Sequence, residues 1–293
     1  MKKILLLILT VTLSVSALAQ QQHGRIFDDK IFKSSILGRD VNYTIYLPPD
    51  YETSSRKYPV LFLLHGYSDD HTGWMHYGEM NRIADELIGE GKISPMIIVV
   101  ADAKKTWYIN NYTNTERFED MYITEFIPHI EKTYRARENK LGHAIGGLSM
   151  GGYGSLLYAL KYTDMFSVCV AMSAAVFTDD ELKARILAEG ESYGYKEKEL
   201  FGITDENLSE HWHKNSIIDI VKNLPDNKKK SVKFYIDCGD DDFLYCGNST
   251  LHIVMRDLKV DHEYRVRDGA HSWAYWRQCL YDGLIYINKC MRH

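Results

Sequence analysis

The run Ala144-Ile145-Gly146-Gly147-Leu148-Ser149-Met150-Gly151-Gly152-Tyr153-Gly154 contains Gly147-x-Ser149-x-Gly151, the spacing of a nucleophile elbow. A serine hydroxyl attacks a carbonyl only when a base takes its proton and the backbone holds its oxygen in the open. The turn that does this is strained, and small neighbours must leave room for it. Gly147 and Gly151 are placed to be those neighbours. Residues 140–145 read as a short buried strand and residues 153–161 as a helix with an apolar face. The serine therefore sits where a strand turns into a helix, with the helix N-terminus aiming its N–H groups at the reacting centre. A glycine-rich turn that merely happens to hold a serine would not require that context.

The base and the acid that orients it must come from elsewhere in the chain. In α/β-hydrolases the order is serine, acid, histidine. Cys238-Gly-Asp-Asp-Asp-Phe-Leu-Tyr245 leaves the C-terminal end of a predicted strand, where ligand-binding loops gather in open parallel sheets. Asp240, Asp241 and Asp242 compete for the acid role, and Asp237, inside the strand, is a weaker candidate. Arg267-Asp-Gly-Ala-His271-Ser-Trp273 follows the next strand, so His271 reaches the same edge in the right order. Twelve histidines make any single one a weak signal. His211 and His213 are the rivals for the base. His65 precedes the serine, out of order, and reads as a brace for the loop that holds an oxyanion. The expected oxyanion donors are the backbone N–H groups of Met150 and Tyr67.

These loops need a sheet. Residues 40–47 alternate apolar and polar and are stopped by Pro48-Pro49, which predicts a strand. Residues 58–64, 95–101 and 166–172 are apolar runs suited to parallel strands buried on both faces. Residues 231–237 and 262–266 supply the last strands. Helical patterns occupy 75–91, 118–134, 251–258 and 272–290, and residues 20–37 read as an edge strand or arm. The alternation predicts an α/β fold, a doubly wound, mostly parallel sheet with helices on both faces. Residues 177–225 break the rhythm. They read as an insertion over the active site within one domain spanning 20–293.

Residues 1–19 have a charged start, an apolar run and an Ala17-Leu18-Ala19 cleavage pattern, which predicts a signal peptide and a periplasmic or secreted product. Net charge is −5, and loss of Lys2 and Lys3 leaves 33 basic against 40 acidic residues. That balance argues against nucleic acid or an anionic membrane as partner. No C-x-x-C or H-E-x-x-H spacing occurs, so no metal and no cofactor is expected. Of the five cysteines, Cys169 and Cys238 read as core residues, while Cys246 with Cys279 or Cys290 is an open pairing.

Five segments together carry a resemblance: 46–49 (Tyr-Leu-Pro-Pro), 58–66 (Tyr-Pro-Val-Leu-Phe-Leu-Leu-His-Gly), 147–154, 239–245 and 269–273 (Gly-Ala-His-Ser-Trp). In this order they resemble the esterase D-type "putative esterase" family, which includes feruloyl and acetylxylan esterases, S-formylglutathione hydrolases and mycolyltransferases. The resemblance implies an α/β-hydrolase fold, Asp242 as the acid, His271 as the base and Trp107-Tyr108 as a site-lining segment. The expected function is an exported serine carboxylesterase acting on acetyl or feruloyl esters of xylan-type carbohydrate, its partner a small-molecule or oligosaccharide ester. The alternatives are a mycolyl-type acyltransferase, a general short-chain esterase and a non-catalytic binding protein. Tyr193, Tyr195, Phe201 and Trp212 in the insertion, with Trp107 and Tyr108, are the aromatics expected to select the ester.

Overall fold

The computed structural model describes residues 23–188, 194–204 and 207–291. The predicted leader, Tyr193 and the side chain of Tyr195 lie outside the described residues. Among the described residues, eight strands form one sheet: β1 (Arg25–Ser34), β2 (Arg39–Leu47), β3 (Val60–Leu64), β4 (Ile97–Ala101), β5 (His143–Leu148), β6 (Val168–Met172), β7 (Lys233–Gly239) and β8 (His262–Arg267). Their spatial order is β1-β2-β4-β3-β5-β6-β7-β8. The β1–β2 and β2–β4 pairs are antiparallel, and all the others are parallel. Every residue of β3, β4, β5 and β6 is buried, as apolar runs without alternation require.

The helices, in chain order, are α1 (Gly73–His76), α2 (Met80–Gly89), α3 (Phe118–Met121), α4 (Ile127–Thr133), α5 (Met150–Lys161), α6 (Asp179–Ala188), α7 (Gly194–Phe201), α8 (Glu210–Asn215), α9 (Ile217–Asn223), α10 (Asp226–Lys229), α11 (Tyr245–Asp257) and α12 (Trp273–Cys290). A π-helical turn, Tyr122–Phe126, joins α3 to α4. The two-residue period of the strands divides the core. Phe62, Val99 and Ile145 face α3, α4, α5 and α11, whereas Leu61, Leu63, Ile98 and Val100 face α2 and α12. The described residues within 177–225 fold mainly as helices, whose Leu182, Ile186, Phe201, Trp212 and Ile217 join the core on the α5 side. The Tyr153 hydroxyl on α5 donates to the Asn215 carbonyl at 2.9 Å.

Two local readings change. The strand expected from residue 140 begins at His143, because the Asn139 side chain accepts from Gly142 N at 3.1 Å and winds Lys140–Gly142 into a short 3-10 turn. The open cysteine pairing is not made, and all five cysteines are free thiols. Cys246 is exposed, Cys279 is buried and Cys290 is half-buried. Among the described residues no helix is long and apolar enough to cross a membrane.

The C-terminal ends of β7 and β8 bear directly on the site. Their pairing continues past the strands: Asp240 N–H donates to Arg267 O at 3.0 Å, and Asp241 N–H donates to Gly269 O at 3.1 Å. Gly269 N–H in turn donates to Asp240 Oδ1 at 3.0 Å. A Cβ on Gly239 would lie 2.0 Å from the Gly269 carbonyl oxygen. Gly239→Ala should therefore destabilise the fold by at least the ~1–3 kcal/mol typical of overpacking. It should also spread the two loops apart. Urea unfolding reads the first effect and turnover the second, and a variant of unchanged stability would contradict this packing.

Candidate active site

Ser149 follows β5 and precedes α5 with φ 55° and ψ −118°, a conformation costly for any residue with a Cβ. Three backbone hydrogen bonds hold it there. Ser149 N–H donates to Met172 O at 2.9 Å, and Ser149 O accepts from Tyr153 and Ala175 N–H, each at 3.0 Å. The flanking glycines are obligatory. A Cβ on Gly147 would meet Gly151 O at 2.5 Å, and one on Gly151 would meet Leu64 O at 2.4 Å.

The serine hydroxyl reaches a relay. His271 Nε2 lies 3.0 Å from Ser149 Oγ, and His271 Nδ1 lies 2.9 Å from Asp242 Oδ2. A carboxylate only accepts, so the Nδ1 proton is fixed on the Asp242 side and the Nε2 lone pair faces the serine. The imidazole is held between Phe243, with ring centroids 4.6 Å apart, and Trp276, at 4.7 Å and edge-on. Ser272 caps α12 directly after His271.

Asp242 is buried. Burial alone would raise its pKa, but hydrogen bonds from His271, Leu244 N–H and Ser173 together outweigh it and hold the carboxyl below its usual range. Leu244 N–H donates to Oδ1 at 2.9 Å. Ser173 also accepts from Trp276 Nε1 at 3.0 Å. Asp240 points to the base loop, as above, and Asp241 is exposed. Asp237 is fully buried and takes hydrogen bonds from the hydroxyls of Tyr235 (2.7 Å) and Tyr275 and from Arg267. Arg267 also binds Asp282 at 2.6 Å. This cluster ties the roots of the acid and base loops to α12.

His65 is fully buried at the end of β3. Its Nδ1–H donates to Gly66 O at 2.8 Å, and its Nε2 accepts Ala103 N–H at 2.9 Å. Burial pushes its pKa down, which keeps this tautomer neutral. A Cβ on Gly66 would lie 3.7 Å from Ser149 Cβ, so the Gly66–Tyr67 backbone passes beside the serine. The rivals for the base lie elsewhere: His211 Nε2 contacts Asn110 O at 3.0 Å, and His213 pairs with Asp219 at 2.7 Å.

A cavity of about 500 Å³ opens over Ser149 and His271. Tyr67, Trp107, Phe177, Phe243, Trp273 and Trp276 supply its aromatic walls, and Asp69 and Arg185 its charged groups. Trp107 lines it as expected, but Tyr108 and Trp212 do not. Both Trp107 and Tyr108 have left-handed backbone, φ 55° and 61°. The turn sends Tyr108 into the core, where its hydroxyl donates to His65 O at 2.9 Å and its carbonyl accepts from Tyr158 at 2.7 Å. Tyr108 thus braces the loop instead of touching substrate. Trp212 is buried against Phe201, with Nε1 donating to Asp179 at 2.9 Å. Phe201 is likewise buried, one layer behind Trp107. Phe243, Trp273 and Trp276 are walls not expected from the sequence, although all three flank the predicted acid and base. Ser173, which no motif marks, is likewise visible only in the fold.

Two groups of potential metal ligands occur among the described residues: Asp179, His213 and Asp219, and the exposed Asp240, Asp241 and Asp268. The first is already tied by the Trp212 and His213 hydrogen bonds. The geometry separates the three adjacent aspartates sharply. Asp242→Ala should lower kcat by about three to four orders of magnitude, and Asp241→Ala should stay within about threefold. Asp240→Ala, which loses one brace on the base loop, should fall between them. Steady-state kinetics on one ester decides, and an Asp241 variant as damaged as the Asp242 variant would contradict the relay.

Residues 34–287 match the family described as "Putative esterase". An endo-1,4-beta-xylanase/feruloyl esterase of Xylanibacter ruminicola is 34% identical over 169 residues, 55% of this chain and 23% of that protein. The chain thus corresponds to less than a quarter of that relative's length. An acetyl esterase of Caldicellulosiruptor saccharolyticus is 24% identical over 267 residues, 88% of this chain and 96% of that one. Among solved structures, a ferulic acid esterase is 32% identical with a TM-score of 0.78, covering 92% of this chain and 99% of that one. With its eight-stranded sheet and its elbow serine, the chain has the α/β-hydrolase fold, is a carboxylic ester hydrolase, and belongs to the "Putative esterase" family.

Proposed function

We propose that this chain is an exported serine esterase that removes acetyl or feruloyl groups from xylan-type carbohydrate through an acyl-enzyme. The observation that carries the reading is the unbroken relay from Ser149 Oγ through His271 to buried Asp242, at the floor of an aromatic cavity. His271 takes the proton as Ser149 attacks the ester carbonyl, and Asp242 stabilises the imidazolium that forms. Met150 N–H, at the start of α5, and Tyr67 N–H, on the strand-end loop beside Ser149, take the developing oxyanion. His271 then protonates the leaving alcohol. Water, activated by the same base, releases the acid.

The cavity walls support the substrate class. Flat aromatic faces with polar edges suit phenolic acyl groups and sugar rings. Relatives named feruloyl esterase and acetyl esterase point the same way. The leader-like residues 1–19 support export, and the acidic charge balance leaves nucleic acid and anionic membranes as poor partners.

Ser149→Ala should lower hydrolysis of a chromogenic short-chain ester by about five orders of magnitude or more while the protein stays folded. Near-normal turnover in that variant would remove the nucleophile. His271→Ala, which leaves Ser149 without an acceptor for its proton, should remove most of the rate. Acetylated or feruloylated xylo-oligosaccharides should give higher kcat/KM than alkyl esters of the same acids. Equal values would make this a general short-chain esterase, and transfer of the acyl group to an added sugar in preference to water would make it a transferase.

A further inference from the structure

We propose that Asp69 is a specificity residue of this cavity: its carboxylate accepts a hydrogen bond from a hydroxyl group on the ester substrate. The inference rests on the esterase reading above and deepens it. Asp69 lies on the loop after β3, two residues beyond the proposed oxyanion donor Tyr67, and lines the same cavity as Ser149 and His271. Its carboxylate is packed against two glycines. A Cβ on Gly66 would lie 3.5 Å from Asp69 Oδ2, and a Cβ on Gly73 would lie 3.1 Å from Oδ1. The same Gly66 position is 3.7 Å from Ser149 Cβ, so one carboxylate oxygen and the serine flank a single glycine.

The neighbouring aspartate shows what is unusual here. Asp70 Oδ1 accepts from Thr72 N–H and Thr72 Oγ1, each at 2.7 Å, and does an ordinary turn-forming job. Asp69 receives no such donor from the described residues; its backbone N–H donates to Gly66 O at 3.2 Å, and its carboxylate faces the cavity. Burial, and after it the charge of Asp70, pushes its pKa up to about 6. A half-buried carboxylate with unused acceptor capacity is costly for the fold. It is also unfavourable for the chemistry, since negative charge develops close by on the ester oxygen. A substrate hydroxyl would offset both costs, because a hydrogen bond to a charged acceptor is stronger than a neutral one. An ester without that hydroxyl leaves the carboxylate bare and reacts more slowly. Sites built to bind a hydroxyl discriminate strongly against analogues that lack it.

The hydroxyl can sit on a phenolic acyl group or on the sugar side, and two substrate pairs separate these sources. Methyl 4-hydroxycinnamate is compared with methyl cinnamate, and acetylated xylobiose with ethyl acetate, for wild type, Asp69→Leu and Asp69→Asn. Wild type should prefer the hydroxylated member of at least one pair. In Asp69→Leu that preference should fall by about tenfold or more. In Asp69→Asn, which keeps the shape and loses the charge, it should fall by less, while the rate on the ester lacking the hydroxyl rises. The pair that responds identifies the hydroxyl. Equal changes on both members of each pair, or no wild-type preference in either, would overturn the assignment and leave the esterase reading standing. Failure of wild type to hydrolyse any of the four esters would overturn the esterase reading itself. If Asp69→Leu does not fold, Asp69→Asn alone decides, by the direction of its two rates.

Discussion

The site depends on how closely α5 can approach the end of β3. Gly147 and Gly151 bring the elbow against the carbonyls of Leu64 and His65, closer than any Cβ allows. That approach forces Ser149 into its unfavourable backbone and sets the first N–H of α5 beside the loop that follows His65. One added methyl group would part the two. The strain, of the order of 1–3 kcal/mol, is offset by the three hydrogen bonds on Ser149 and by a brace from below. In that brace Tyr158 holds Tyr108, Tyr108 holds His65, and Gly154 leaves room for the Tyr108 ring.

Two buried carboxylates then divide the remaining work. Asp242 meets His271 and is kept ionised by the hydrogen bonds it receives. Asp237, five residues earlier, meets no part of the cavity. It collects two tyrosine hydroxyls and Arg267, joining β7, β8 and α12 beneath the loops that carry the acid and the base. A buried charge left without partners costs several kcal/mol, so each carboxylate constrains every group that satisfies it. The spacing between acid and base is thereby set from below by Asp237 and from the side by Asp240 and Gly269.

Much of this was legible in the residues. Apolar runs located the central strands, and the order of serine, aspartate run and histidine put three loops on one sheet edge. The choice among Asp240, Asp241 and Asp242 was not written in their spacing. It follows from a local turn that directs one side chain to the base loop, one to solvent and one inward. Trp107 and Tyr108 were indistinguishable as neighbours, because consecutive left-handed residues break the periodicity that relates sequence to direction. Trp212 looked like a wall because aromatic residues suit both walls and cores, and only its packing against Phe201 and its bond to Asp179 tell them apart. Ser173 lies at the end of the strand beside the elbow, a position that exists only once β6 is known to pair with β5.

Because α12 contributes Trp276, Tyr275 and Asp282 to the groups that place His271 and Asp242, the order of synthesis matters. A growing chain makes the proposed nucleophile at residue 149 but completes the groups that hold His271, its proposed base, only after residue 282 has been added and α12 has docked. Until then the serine is an ordinary alcohol. On the proposed reading, chemical competence is thus acquired late in the life of each molecule, with the docking of its last helix.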